Sequence, residues 1–272
     1  MPVQTFDAGP VTINYFEEGE ADGPPLVFLH GVTALWQAWT AIMPAFAEEY
    51  RVHALDFRGH GRSGRVADGY RAVDYAADVI AFLRGRAHRP AHLVGHSLGA
   101  IVAIAVAADA PEAVRSVVLE DPPLGAFSDQ RLAERRETPT FRAWRDLALR
   151  GLPKEQLFAE LARMQPAADA AAVGARATSL SQMDPDVLTM ILEDRAKDDY
   201  RLEERLARVR CPVLLQQGDA ELGAALEDER AEKARSLLAN CTFERFADVG
   251  HLIHTEQPYA FIRSVRRFLR GV

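Results

Sequence analysis

Cysteine and long apolar runs are both scarce in this chain of 272 residues. Cys211 and Cys241 each precede an apolar run typical of a strand, which favours buried thiols over a disulfide framework. The most apolar window, residues 100–108, is too short to span a bilayer. The first residues lack the basic and apolar regions of an export signal, so we expect a cytoplasmic protein with no membrane partner.

An excess of positive charge is also missing. Lys and Arg total 32 against 39 Asp and Glu, which gives a formal net charge of −7. Proteins that bind nucleic acid or anionic membranes carry a basic face, so this balance argues against both partners. No group of Cys, His and carboxylate residues has the spacing of metal ligands, and we therefore expect no metal and no cofactor. The oligomeric state is left open.

Short apolar runs alternate with helical stretches along much of the chain. Strand patterns cover residues 11–16, 26–29, 51–55, 92–94, 114–119, 212–217 and 242–246. Helical patterns cover residues 36–50, 73–84, 98–108, 226–238 and 257–269. This alternation predicts an α/β fold in which helices cover both faces of a mostly parallel sheet.

The pattern changes between about residues 125 and 208. Strand patterns vanish there, and the sequence becomes charged, rich in alanine and interrupted by prolines. These features predict about four helices inserted into the sheet domain. The expected division is a core domain of residues 1–123 and 209–272 with a helical cap of residues 124–208.

The strongest chemical signal is the run Gly95-His96-Ser97-Leu98-Gly99 between a strand and an apolar helix. It matches the G-x-S-x-G nucleophile elbow, in which a sharp turn projects a serine hydroxyl from the backbone. Glycines two residues before and after Ser97 remove side chains that would crowd this turn. The pattern predicts that Ser97 is a nucleophile.

A serine nucleophile needs a base, and in this topology the base follows the serine along the chain. His251, in Gly250-His251 after the last strand pattern, is the candidate. His254 lies three residues further on and is not excluded by the residues alone. His30, His60, His92 and His96 adjoin glycines or strand ends, where packing or capping is the better interpretation.

An oxyanion hole is predicted from two backbone N–H groups. One belongs to Leu98, at the start of the helix after the nucleophile. The other belongs to Val32, in His30-Gly31-Val32 at the end of a strand.

Together these segments resemble the α/β-hydrolase family over essentially the whole chain. The resemblance is carried by His30-Gly31, Asp56 to Ser63, Gly95 to Gly99, Gly250-His251 and Glu256-Gln257-Pro258. It implies an eight-stranded, mostly parallel sheet with a helical cap inserted after the sixth strand. It also assigns the triad histidine to His251 rather than His254, and a structural role to the turn from Asp56 to Ser63.

The acid of the triad is ambiguous. Members of the family usually place it after the seventh strand in a Gly-x-x-Asp pattern, where this sequence reads Gly218-Asp219-Ala220-Glu221. A minority of the family places it after the sixth strand, where Asp121 precedes Pro122. Because proline restricts the backbone beyond Asp121, we favour Asp121 and keep Glu221 as the alternative.

These residues predict a serine hydrolase that cleaves a carboxylic ester or lactone through an acyl-enzyme on Ser97. Trp36 and Trp144 are expected to line the substrate pocket, with Trp39, Phe127 and Phe141 as further candidates. The alternatives on the same triad are a carbon–carbon bond hydrolase, an amidase or a perhydrolase. A small-molecule receptor of this fold is a further alternative.

Overall fold

The computed structural model describes residues 3–129 and 132–272. Within these residues, eight strands form one sheet in the order β1-β2-β4-β3-β5-β6-β7-β8. The strands are β1 (Gln4–Asp7), β2 (Thr12–Gly19), β3 (Pro25–Leu29), β4 (Arg51–Leu55), β5 (Ala91–His96), β6 (Val114–Glu120), β7 (Val213–Gln217) and β8 (Cys241–Arg245). The pairs β1–β2 and β2–β4 are antiparallel, and every other pair is parallel. The chain therefore has the predicted α/β fold with a mostly parallel sheet.

Ten α-helices accompany the sheet in the described residues. They are α1 (Ala72–Arg86), α2 (Leu98–Asp109), α3 (Thr138–Leu149), α4 (Lys154–Met164), α5 (Ala170–Ser181), α6 (Asp186–Leu192), α7 (Leu202–Arg208), α8 (Asp228–Leu237), α9 (Ile253–Glu256) and α10 (Pro258–Leu269). None of them is long and apolar enough to cross a membrane.

Apolar side chains fill both faces of the sheet. Along β3, Leu26 and Phe28 pack with α10, whereas Val27 and Leu29 pack with α1 and α2. This alternation follows from the two-residue period of a strand. Strands buried on both faces read as continuous apolar runs, which explains why β3 was recognisable in the sequence.

One expectation for an individual element is wrong, and one strand has no counterpart among the strand patterns. Residues 36–50, predicted as a helix, form two short 3₁₀ turns, Trp36–Trp39 and Met43–Ala45. Pro44 lies in the second turn and lacks the N–H that a continuous α-helix needs. The edge strand β1 was not predicted, because its residues are largely exposed and carry no apolar run.

The described residues between β6 and β7 contain five α-helices, α3 to α7, and not about four. They contact the sheet domain through specific hydrogen bonds. The Tyr200 hydroxyl donates to the Ile101 carbonyl at 2.5 Å, and the Asp184 N–H donates to the Gly59 carbonyl at 2.7 Å. The division of the chain into a core domain and a cap stays a prediction.

Candidate active site

Ser97 lies in a strained turn between β5 and α2. Its backbone has φ 53° and ψ −116°, a conformation that residues other than glycine rarely adopt. A Cβ on Gly95 would come within 2.3 Å of the Gly99 carbonyl oxygen, and one on Gly99 within 2.0 Å of the Leu29 carbonyl oxygen. The two glycines therefore allow strand, turn and helix to approach closely enough to form this elbow.

Asp121 directly follows β6 and is fully buried. Its Oδ2 atom lies 2.6 Å from Nδ1 of His251, which is about one-third exposed. Ser97 and His251 line the same cavity. Within residues 3–129 and 132–272 no hydrogen bond joins the Ser97 hydroxyl to the imidazole, and such contacts are often loose until substrate binds.

The loop after β7 holds the Asp121 carboxylate with backbone donors. The N–H of Ala225 donates to Oδ2 at 2.6 Å, and those of Gly218 and Leu226 donate to Oδ1 at 3.3 Å. Glu221, the alternative acid, lies in the 3₁₀ turn Ala220–Leu222 of this loop and is exposed. The loop therefore contributes N–H donors to the Asp121 carboxylate.

Two backbone segments adjoin the elbow, those of Val32 and Leu98, whose N–H groups are the predicted oxyanion donors. Nε2 of the buried His60 lies 2.7 Å from the carbonyl oxygen of Val32, next to this peptide segment. The N–H groups of Val32 and Leu98 have no acceptor in the part of the chain that the structure describes. Val32, Ser97 and Leu98 all line the cavity, so both groups are available to a ligand oxygen.

A second pair of histidine and carboxylate lies beside the first. His254 places Nδ1 2.9 Å from both carboxylate oxygens of Glu120, and its backbone N–H donates to Oε1 at 2.8 Å. Both side chains are buried. Sequence reasoning did not predict this pair, although the adjacent acids Glu120 and Asp121 and the nearby histidines were visible.

The ring of His96 lies close to both imidazoles. Its ring centroid lies 4.6 Å from that of His251 and 5.1 Å from that of His254. Burial, and then the neighbouring histidines, hold the pKa of His96 well below its usual value. His96 is therefore neutral at physiological pH, and its Nε2 lies 2.9 Å from the carbonyl oxygen of His251.

The cavity has a volume of about 730 Å³ and extends from the elbow to helices α3 and α5. Three aromatic side chains after β6 line it, namely Phe127, Phe141 and Trp144. The prediction that Trp36 lines the pocket is wrong, because Trp36 stacks on Phe16 with ring centroids 4.6 Å apart. Trp39 also lies elsewhere, in the core with its ring 4.3 Å from His254.

Arg176 of α5 also lines the cavity and was not predicted. Its guanidinium carbon lies 4.1 Å from the ring centroid of Trp144, and Nη1 donates to the Thr33 carbonyl at 2.6 Å. Burial lowers the pKa of Arg176 to about 10. An isolated arginine in an alanine-rich helix was the available signal, but its placement depends on contacts distant in sequence.

The cysteines lie outside this site. Cys211 and Cys241 are free thiols and are half-buried. Burial raises the pKa of Cys211 to about 11 and also raises that of Cys241. Such thiols stay protonated and are poor nucleophiles.

Residues 26–264 match the model of the alpha/beta hydrolase family, and the chain belongs to this family. It is 41% identical over 115 residues to a 2-(acetamidomethylene)succinate hydrolase of Mesorhizobium japonicum, over 42% of this chain and 41% of that protein. It is 36% identical over 140 residues to the pyrrolizixenacetamide deacetylase of Xenorhabdus hominickii, over 51% of this chain and 50% of that protein. The chain thus matches half or less of these two relatives.

Among solved structures, an E-2-(acetamidomethylene)succinate hydrolase superposes with a TM-score of 0.77 at 25% identity. The superposition covers 99% of each chain. The chain therefore has the alpha/beta hydrolase fold.

Proposed function

We propose that this protein is a serine hydrolase with Ser97 as nucleophile, His251 as general base and Asp121 as the triad acid. The observation that supports it best is the 2.6 Å contact between His251 Nδ1 and Asp121 Oδ2, with His251 and the elbow serine lining one cavity. A carboxylate at Nδ1 leaves Nε2 to accept a proton and stabilises the imidazolium that forms. Glu221 is exposed and lies outside this arrangement.

The proposed reaction has two steps. Ser97 Oγ attacks the substrate carbonyl while its proton passes to His251 Nε2, and the N–H groups of Val32 and Leu98 bind the oxyanion. The protonated imidazole then gives its proton to the leaving group. In the second step His251 activates water, which hydrolyses the acyl-enzyme and frees the serine. Each oxyanion donor stabilises the transition state by roughly 3 kcal/mol.

The sequence predicts an ester or lactone as the substrate, and the carbonyl chemistry of the site suits both. The relatives introduce an amide as a second candidate, since one is a deacetylase of an acetamide and another a hydrolase of an acetamido compound. An amide leaving group must be protonated before it departs, and His251 is placed to do this. The proposed substrate is a small molecule, and a cytoplasmic location stays a prediction from the sequence.

The test is a panel of small esters, lactones and amides assayed with the wild type and with Ser97→Ala. We expect turnover of at least one class and a loss of kcat of about 10⁴-fold or more in the variant. Glu155→Ala, at an exposed position on α4 away from the cavity, serves as a control for handling and stability. Activity that persists in Ser97→Ala would contradict the mechanism, and wild-type binding without turnover would favour a receptor.

A further inference from the structure

Arg176 differs in its partners from Arg135 and Lys197, two other cations that line the cavity. Arg135 and Lys197 each contact Asp194, at 2.6 and 3.0 Å. In the described residues, no carboxylate forms an ion pair with Arg176, although its guanidinium is largely surrounded by protein. Burying a charged side chain without a counter-ion costs free energy, so such groups are normally paired with an anion.

Of the three guanidinium nitrogens of Arg176, only Nη1 has hydrogen-bond partners among the described residues. Nη1 donates to both the carbonyl and the hydroxyl oxygens of Thr33. Nε and Nη2 have no acceptor among the described residues. Neither atom is fully buried, so both are accessible from the cavity. These two nitrogens form the edge of a guanidinium that binds the two oxygens of a carboxylate in parallel.

The surroundings hold this edge in a fixed orientation. The indole of Trp144 stacks on the guanidinium plane at 4.1 Å, a cation–π contact that limits rotation. Thr33, which binds Nη1, directly follows Val32, a proposed oxyanion donor. Because Thr33 and Val32 are adjacent, the loop that accepts from Nη1 of Arg176 also carries the N–H group proposed to bind the oxyanion.

We propose that Arg176 binds a carboxylate of the substrate through Nε and Nη2, so that the preferred substrates are esters or amides that carry a free carboxylate. This inference rests on the proposed function, since it names the substrate class of that same site. The carboxylate would supply the counter-ion that the chain itself does not, while the aromatic residues Phe127 and Phe141 contact the uncharged part of the substrate.

The kinetic test compares 4-nitrophenyl esters of glutaric and adipic acid with the distal carboxyl group either free or methylated. We expect the wild type to prefer a free acid. In Arg176→Met, kcat/KM for that acid should fall roughly 10- to 150-fold, and that for its methyl ester less than threefold. For Arg176→Lys, kcat/KM for the free acid should lie between the values of the wild type and Arg176→Met, because lysine keeps the charge but not the paired donors. Arg163→Met, an exposed arginine on α4, is the matched control.

Equal losses for the free acid and its methyl ester would overturn the inference, because they would show that Arg176 only holds the Thr33 loop. A wild type that does not distinguish the two esters would overturn it as well. Spontaneous hydrolysis is subtracted with Ser97→Ala. If that variant retains enzymatic activity, the proposed mechanism fails, which is a separate outcome.

A binding measurement tests the inference without turnover. Calorimetric titration of Ser97→Ala with adipate and with its monomethyl and dimethyl esters should show affinity that requires a free carboxylate and falls at least tenfold on adding Arg176→Met. Adipate affinity unchanged by Arg176→Met would overturn the carboxylate site, whatever the fate of the serine mechanism.

Discussion

Asp121 contacts two segments that are far apart in sequence. Its Oδ2 atom accepts from both His251 and the N–H of Ala225, and Oδ1 accepts from Gly218 and Leu226. A carboxylate with this many donors has little rotational freedom, so it holds the imidazole in one orientation. Asp121 follows β6, and the loop after β7 provides backbone donors to its carboxylate.

The substitution Asp121→Asn tests this assignment. An amide cannot stabilise the imidazolium and favours the wrong tautomer of His251, so kcat should fall by about 10⁴-fold. The matched control is Glu221→Gln, for which we expect a change of less than twofold because Glu221 is exposed. Steady-state kinetics of both variants on the best ester or amide decide between Asp121 and Glu221 as the triad acid. The opposite result would place the acid at Glu221.

Site residues defined by their sequence neighbours were predictable, whereas those defined by distant contacts were not. Ser97 was predictable because the elbow depends on five consecutive residues and their flanking strand and helix. Arg176 was not, because its environment comes from Thr33 and Trp144, 143 and 32 positions away in the chain. Trp36 was misplaced because an aromatic residue near a site packs equally well on a strand side chain such as Phe16.

The close contact of α2 with β3 and β5 leaves no room for a side chain at Gly99. Gly99 lies on the first turn of α2, where a Cβ would be 2.0 Å from the Leu29 carbonyl oxygen. Backbone atoms of a central strand cannot move aside as a flexible side chain does. The elbow therefore depends on the fit between helix and sheet as much as on its own turn.

The substitution Gly99→Ala should accordingly destabilise the protein by about 3 kcal/mol or more, at or above the upper end for overpacking. Urea unfolding measures the loss. Gly174→Ala, within α5, is the control, because its Cβ would meet only a Phe158 ring carbon at 3.9 Å. Alanine should leave that helix unchanged or stabilise it by up to about 1 kcal/mol. Equal stability of the two variants would contradict the packing argument.

Elements with a simple burial pattern were predictable from the sequence. The strand Arg51–Leu55 was predicted at its observed bounds, and α2 differs by one residue. The region around Pro44 was wrong because its apolar spacing resembles a helix while its turns are 3₁₀. Periodicity reports which side chains are buried, and it does not report whether the backbone makes bonds three or four residues apart.

At the scale of the whole molecule, buried histidines make stability depend on pH. Burial lowers the pKa of His53 and of His92 to about 4, and it also lowers the pKa values of His30, His60 and His96. In the unfolded chain these groups have pKa values near 6.5. Between about pH 6.5 and 4 the unfolded chain thus binds more protons than the folded one.

The free energy of unfolding should therefore decrease as the pH falls from about 6.5 towards 4. Each histidine that is protonated only on unfolding contributes a slope of about 1.4 kcal/mol per pH unit in this interval. Urea unfolding at pH 8, 6 and 5 measures the slope. Constant stability over this range would contradict the burial of neutral histidines.

The substitution His53→Phe isolates one of these groups. Both ring nitrogens of His53 are buried and have no hydrogen-bond partner within the described residues, so phenylalanine loses no such bond. The ring packs near Tyr15 and Phe82, which favours another aromatic side chain. We expect the slope of the free energy of unfolding against pH to fall by about 1.4 kcal/mol per pH unit, the contribution of one proton. An unchanged slope would show that His53 does not titrate on unfolding.

The separation of Asp121 and His251 by 130 positions determines when reactivity arises during folding. The elbow of Ser97 is formed by β5 and α2 and contacts β3 and the end of β6, whereas its proposed base, His251, follows β7 and β8 along the chain. If the proposed triad is correct, a chain folded only through β6 should carry a formed elbow with an unreactive hydroxyl. Covalent labelling of this serine by an activated phosphonate would thus report completion of the final strands, later than the formation of the elbow itself.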